Sequence, residues 1–372
     1  MILKNGMIFQ PDGTFAVGDM EFNETIQAIG SIDKPADINA TNKYVIPGLI
    51  DIHTHGAMQE DASDGSIEGL ETMSAYYARN GVTSWCPTTM TLKEETLLPA
   101  MHAIRDFQTK GARCVGIHLE GPFLCYDKRG AQAAENLHAP DIDMFHRLNA
   151  ASGNQVCLVT VASEEPGAME FIRAISKICT VSLGHTIADY DTAMEAYQNG
   201  ASHTTHLFNG MNALHHRKPA VIGAAYDAGA TVELICDGLH IHPSVIRMMF
   251  QLYGDKLTLI SDSLRCAGMP DGQYTLGGQP IIMKNGKATL MDEVTLAGSS
   301  ISVLKAVQNV VSFGIPLEKA VAAATITPAR AIRKDDTIGS LETGKLADFL
   351  ILDKDLNLEA VYIGGKKYEE SV

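Results

Sequence analysis

The chain has 372 residues, with 29 Lys+Arg against 44 Asp+Glu and a formal net charge of −15. At 45% hydrophobic and 20% charged residues, it reads as an ordinary soluble protein: one large domain of roughly 250–300 residues and a minor one. The acidic balance argues against nucleic acid as main partner, because a polyanion needs a basic face, but a few local cations suffice for a small anion.

The first 48 residues read as short β segments (1–9 and 25–29) around the Pro11-Asp12-Gly13 turn. After the Pro47-Gly48 break, short β-rich runs alternate with helix-like stretches, the pattern of a parallel sheet with helical crossovers. Eight β runs are expected: 49–53, 82–87, 113–120, 155–162, 180–185, 201–206, 231–237 and 256–262. Amphipathic helices are expected between them at 67–80, 94–110, 167–177, 190–199 and 243–253. This predicts an α/β fold, a (β/α)8 TIM barrel over 49–335. The Gly-rich stretch 264–296 reads as a β-excursion over the barrel mouth. Residues 299–333 return to helix, with Pro316 and Pro328 each expected to open a new one. The tail 344–368 is β-patterned, so residues 1–48 and 336–372 are expected to join in one small β-sandwich domain.

Several exclusions follow. The run MILKNGMIFQPDG lacks the apolar core of a signal peptide, and no run approaches the roughly 18 apolar residues of a membrane helix. No membrane partner is expected. The seven cysteines are odd in number and scattered without a CxxC, as in reduced core thiols of a cytoplasmic protein. GxGxxG, P-loop, GxSxG and HExxH motifs are absent, and His118-x-Glu120 is not followed by the PCxxC of a zinc deaminase.

In such barrels the catalytic groups sit at the C-terminal strand ends. The first expected strand ends in Asp51-Ile52-His53-Thr54-His55, whose two histidines project on one side. The third ends at Glu120, the fifth at His185, the sixth at His206 and the eighth at Asp262. The seventh runs into Asp237-Gly238-Leu239-His240. His53, His55, Glu120, His185 and His206 together form a ligand set for a divalent metal such as Zn²⁺ or Fe²⁺. His118 is expected either behind Glu120 or in the barrel interior. His203, three residues before His206, is expected to face away as a packing residue.

These residues lie in DIHTHG (51–56), HLEGPF (118–123), GHT (184–186), THLFNGM (205–211), HHRKP (215–219), DGLH (237–240) and SDS (261–263). The set resembles the N-acetylglucosamine-6-phosphate deacetylases of the amidohydrolase superfamily, over nearly the whole chain. The resemblance implies metal-dependent hydrolysis of the N-acetyl group of N-acetylglucosamine 6-phosphate, with the galacto epimer as runner-up and another, non-phosphorylated amide as a remoter alternative. Glu120, His185 and His206 match the main metal site, and His53 and His55 a second one that some relatives lose. One or two ions per chain are thus expected, Zn or Fe. Other barrels of the superfamily bridge two metals with a carboxylated lysine at the end of strand four, where this chain reads Val159-Thr160-Val161-Ala162.

Asp262 matches the catalytic acid/base, and His240 the residue at the substrate carbonyl. Ala131, Gln132, Asn209, Gly210, Asp237, His240 and Leu296 match substrate-contacting positions. Arg217 matches a phosphate-binding arginine that, in the family's homodimer, reaches into the neighbouring site. Some relatives carry a histidine where this chain has Gln132, so Gln132 is expected to act as a neutral donor to phosphate, or Arg129 to compensate.

Overall fold

The computed structural model describes residues 1–369, so the last three residues of the expected C-terminal segment lie outside the described residues. Both ends of the chain build one sheet. Ile2–Phe9, Phe15–Phe22 and Ile26–Gly30 form an antiparallel meander, and Tyr44–Pro47 runs parallel to the first of them. The tail strands Phe349–Leu352, Leu358–Ile363 and Lys366–Lys367 continue the sheet from Tyr44–Pro47. The joint is aromatic: Phe349 stacks on Tyr362 with centroids 4.4 Å apart, and Phe22 packs edge-on to both.

The barrel strands are β1 (Leu49–Thr54), β2 (Val82–Thr89), β3 (Ile117–Glu120), β4 (Val156–Val161), β5 (Thr180–Leu183), β6 (His203–Thr204), β7 (Thr231–Ile235) and β8 (Leu257–Ile260). Each pairs in parallel with the next from β1 to β8. Nearly every strand residue is buried, as expected where side chains fill the barrel on one face and helices cover the other. The seam between β8 and β1 is closed differently. Ser261 donates its backbone N–H and its Oγ–H to the Asp51 carboxylate, the latter at 2.5 Å, and Asp262 N–H donates to the His53 carbonyl at 2.9 Å. Burial pushes the Asp51 carboxyl up to about 7, against the bonds from Ser261 that favour its charged form.

Eight helices follow the eight strands in turn: Ile67–Arg79, Glu94–Asp106, Ile142–Ala151, Ala168–Ile175, Tyr190–Gln198, Ala220–Ala228, Pro243–Tyr253 and Val303–Ser312. Their starts follow local chemistry. Ser66, Asp141, Asp189 and Ser302 each accept a backbone N–H of the first turn, and Pro243 occupies the first helical position.

Three expectations change. The run 113–120 is not one strand: Arg113–Cys114 and Ile117–Glu120 are separate, because the chain steps inward at Gly116, where a Cβ would lie 2.3 Å from Cys157 Sγ. Strands β5, β6 and β8 stop two residues short of His185, His206 and Asp262. Pro316 does precede a helix, Leu317–Ala324, but Pro328 sits inside Ile326–Ala331 rather than opening it. The excursion is a three-stranded antiparallel sheet, Gly272–Leu276, Gln279–Lys284 and Lys287–Leu290. It packs Leu276, Ile281 and Met283 on Met90 and Leu264 and so roofs one side of the mouth. Among the described residues no helix is long and apolar enough to cross a membrane.

Candidate active site

The strand-end residues converge on Glu120, the last residue of β3. Its Oε1 lies 2.8 Å from His206 Nε2, 3.1 Å from His185 Nε2 and 3.4 Å from His53 Nε2. Its Oε2 lies 3.0 Å from His55 Nε2. Asp262 Oδ1 sits 3.6 and 3.5 Å from the Nε2 atoms of His53 and His55. All six side chains are buried.

Backbone conformation aims them. His185, His206 and Asp262 each lie two residues beyond the last ladder residue of β5, β6 and β8, and each has positive φ: 47°, 25° and 46°. For residues with a Cβ such a conformation costs on the order of 1–3 kcal/mol and clusters at functional sites. Here it turns the three side chains over the barrel axis. Gly210, at φ 57°, lets the loop after β6 pass under His185, because a Cβ there would lie 2.8 Å from its Nδ1.

The imidazoles are oriented from behind. His185 Nδ1 donates to the Lys128 carbonyl (2.8 Å), His55 Nδ1 to the Thr88 carbonyl (3.1 Å) and His53 Nδ1 to Glu233 Oε2 (2.8 Å). In each ring this leaves the Nε2 lone pair facing Glu120, the arrangement of a metal-ligating histidine. His53 Nε2 is buried without a hydrogen-bond partner. A tetrahedral Zn²⁺ with bonds of about 2.0–2.1 Å has its ligand atoms about 3.3 Å apart. The Glu120–His185–His206 triangle, with edges of 2.8 to 3.1 Å, suits one such ion, and His53, His55 and Asp262 form a second group of the same kind. The donor set fits a divalent cation of borderline hardness.

The buried charges of the cluster act on one another. Burial is the largest single influence on His53, His55 and His185 and would lower their pKa values, but the surrounding carboxylates, Glu120 first and then Asp262, with Glu233 at His53, together outweigh it and raise all three. Burial lowers His118 well below its ordinary value, with the His53 charge adding to it, so this ring is neutral. It lies under His53, with centroids 4.6 Å apart, and bonds Thr160 Oγ1 at 2.8 Å. His118 thus fills the barrel interior.

The cavity above the cluster has a volume of about 300 Å³. It is lined by His55, Glu120, His185, His206 and Asp262, and by the expected substrate residues Ala131, Gln132, Asn209, Gly210, His240 and Leu296. Asp237 stands behind His240, its Oδ2 2.7 Å from Nδ1, which leaves the far edge of the ring for the cavity. Burial is the largest single influence and acts against the Asp237 charge, but the bond and charge of His240 and the backbone N–H groups of His240 and Leu239 together lower its pKa.

Arg217, expected to serve the neighbouring site, and Arg129 both lie away from this cavity. Arg217 is exposed in the loop after β6, its Nη1 2.6 Å from His216 Nε2. Arg129 lies over the Tyr126 ring and donates to the Tyr126 carbonyl. Gln132 lines the cavity, but its amide is engaged elsewhere. Nε2 donates to Glu120 Oε2 at 2.9 Å, and Oε1 accepts from Thr91 N–H at 2.8 Å. These contacts tie its amide to Glu120 and to the Thr91 backbone.

Two residues escaped the sequence reading. Glu233 on β7 accepts from His53 and from the His206 backbone N–H, and its other oxygen meets His203 Nε2 at 3.1 Å. The signal was a carboxylate in the apolar run TVELI. His203, expected to face away, points inward: the positive φ at His206 breaks the strand alternation on which that expectation rested.

The model of the amidohydrolase family matches residues 44–368, and the chain belongs to this family. The N-acetylglucosamine-6-phosphate deacetylase of Vibrio furnissii is 35% identical over 371 residues, covering 97% of this chain and 92% of that protein. An N-acetylgalactosamine-6-phosphate deacetylase of Escherichia coli O157:H7 is 34% identical over 342 residues, covering 90% of each. Among solved structures, a variant of the Mycobacterium smegmatis N-acetyl-D-glucosamine-6-phosphate deacetylase in complex with N-acetyl-D-glucosamine-6-phosphate superposes with a TM-score of 0.92. It is 30% identical and covers 99% of this chain and 98% of that one.

Proposed function

We propose that the chain is a metal-dependent deacetylase that hydrolyses N-acetyl-D-glucosamine 6-phosphate to D-glucosamine 6-phosphate and acetate, in cytoplasmic amino-sugar catabolism. The observation that carries this is the convergence of four histidine Nε2 atoms and Asp262 on Glu120 at the floor of a 300 Å³ cavity, in a chain 35% identical to a deacetylase of that name. Glu120, His185 and His206 hold one divalent ion, Zn²⁺ or Fe²⁺, and His53, His55 and Asp262 a second. The ion supplies Lewis acidity, polarising the acetamide carbonyl and making water a nucleophile at neutral pH.

The chain's own residues do the rest. Asp262 takes the proton of the attacking water and returns it to the departing amine, so one carboxylate serves as base and then as acid. His240, fixed through Nδ1 by Asp237, presents Nε2 to the cavity on the side where the oxyanion develops. Asn209, Gly210, Ala131 and Leu296 shape the wall for the sugar. Gln132 holds Glu120.

Among the described residues no Lys or Arg lines the cavity. A 6-phosphate held there needs a cation from outside it, which supports a homodimer in which the exposed Arg217 enters the neighbouring site. A guanidinium matches two phosphate oxygens at once. The seven cysteines are unpaired, which supports a reducing compartment.

The relative from Escherichia coli gives the galacto epimer a specific claim. Steady-state kinetics on both 6-phosphates and on N-acetylglucosamine decide the matter. The proposal requires the highest kcat/KM on the gluco 6-phosphate. A preference for the galacto epimer moves the assignment to the second reading, and a preference for an unphosphorylated amide refutes both.

A further inference from the structure

Glu233 lies one layer below the candidate ligands, fully buried on a strand otherwise made of Thr, Val, Leu and Ile. A carboxylate in that position is unfavourable unless paired, and both of its oxygens are committed. Oε2 takes the Nδ1–H of His53 at 2.8 Å and the backbone N–H of His206 at 3.1 Å, and Oε1 takes the Nε2–H of His203 at 3.1 Å. His203 is braced in turn by Thr231 Oγ1, 2.5 Å from its Nδ1.

The support behind His53 differs in kind from that of its neighbours. His55 and His185 lean on neutral backbone carbonyls, whereas His53 leans on a full carboxylate. A carboxylate behind a ligating imidazole fixes the tautomer and strengthens the ring as a donor. It also supplies charge. Two divalent ions bring four positive charges against one negative charge each from Glu120 and Asp262, and the end of β4 offers no lysine as a further bridging group.

We propose that Glu233, braced by His203, is the positioning residue that sets occupancy of the His53/His55/Asp262 position. The inference rests on the two-ion reading of the site. It assigns the second ion to a carboxylate that does not touch it, acting through His53.

The test uses full-length protein stripped of metal and titrated with Zn²⁺ by calorimetry, with metal content measured after dialysis. Wild type is expected to take two ions. Glu233→Gln should weaken the second ion by about 10–100-fold and the first, which it reaches only through the His206 backbone N–H that the amide oxygen still accepts, by much less. His53→Asn should lose the second ion outright, and adding Glu233→Gln to it should change zinc affinity no further. A general structural role would instead weaken both ions alike and add to His53→Asn. Where Glu233→Gln fails to fold, His203→Gln, which retains the Glu233–His53 pair, should weaken the second ion to a lesser degree. Two ions at wild-type affinity in Glu233→Gln, or in His203→Gln where that variant stands in for it, overturn the proposal. A wild type that binds a single ion, unaffected by His53→Asn, overturns the two-ion reading and the proposal with it, and is distinguishable because the failure appears before any change at Glu233.

Discussion

Gln132→Leu separates two roles for one residue. The substitution keeps approximate volume and removes both amide contacts. The bond lost to Glu120 Oε2, 2.9 Å long and made to a charged acceptor, belongs to a class worth about 1.5–3 kcal/mol. The Thr91 N–H, which donated to Oε1 at 2.8 Å, is left buried and unpaired at a further cost of about 1–3 kcal/mol. The second loss falls on the fold and should lower Tm by several degrees. The first falls on the orientation of Glu120, which all four candidate ligand histidines face, so zinc affinity should drop by about 10–100-fold. Competition with a chromophoric chelator measures that affinity, and kinetics at saturating zinc measure KM for the 6-phosphate. Reduced zinc affinity with KM nearly unchanged is expected. Unchanged zinc affinity with a tenfold rise in KM for the phosphorylated substrate alone would refute the reasoning and return Gln132 to the phosphate.

Other variants and conditions test neighbouring steps. Asp262→Asn should keep the ion at Glu120, His185 and His206 while kcat falls by about 10²–10⁴-fold, and near-normal turnover would remove Asp262 from proton transfer. Arg217→Ala should raise KM for the 6-phosphate and leave the slow turnover of N-acetylglucosamine unchanged; equal effects on both substrates would place the phosphate elsewhere. In the metal-free site burial, the largest single influence, is outweighed by Glu120 and the other surrounding carboxylates together, which raise the pKa values of His53, His55 and His185. The stability gained from those protons is present in full below the unfolded histidine value of about 6.5 and is lost as pH rises through the raised folded values. The Tm of chelator-treated protein should therefore fall as pH rises above about 6.5, while bound metal abolishes that fall. Parallel Tm curves for the two forms would contradict the coupling.

How far the sequence carried depends on the kind of feature. The barrel strands are short apolar runs separated by capped helices, and both signals are local, so their order could be read directly. His53, His55, Glu120, His185 and His206 were visible because strand ends are where such barrels gather chemistry. Their aim was not, since it depends on left-handed backbone at His185, His206 and Asp262, and the same feature misled the reading of His203. Glu233 stayed hidden because its meaning lies in contacts with β1 and β6, which no spacing within β7 encodes. The role of Gln132 turns on an irregular loop whose approach to Glu120 follows no period. The break at Gly116 comes from packing against a Cys157 distant in sequence.

The most direct test of the central claim is acetate release from N-acetyl-D-glucosamine 6-phosphate by the stripped protein and by the same protein after stoichiometric addition of Zn²⁺ or Fe²⁺. The account predicts no turnover without metal. It predicts restored turnover with metal, equimolar acetate and free amine, and a much lower kcat/KM on N-acetylglucosamine lacking the phosphate. Turnover that persists in metal-free protein, or no release of acetate from the metal-loaded protein, would contradict it.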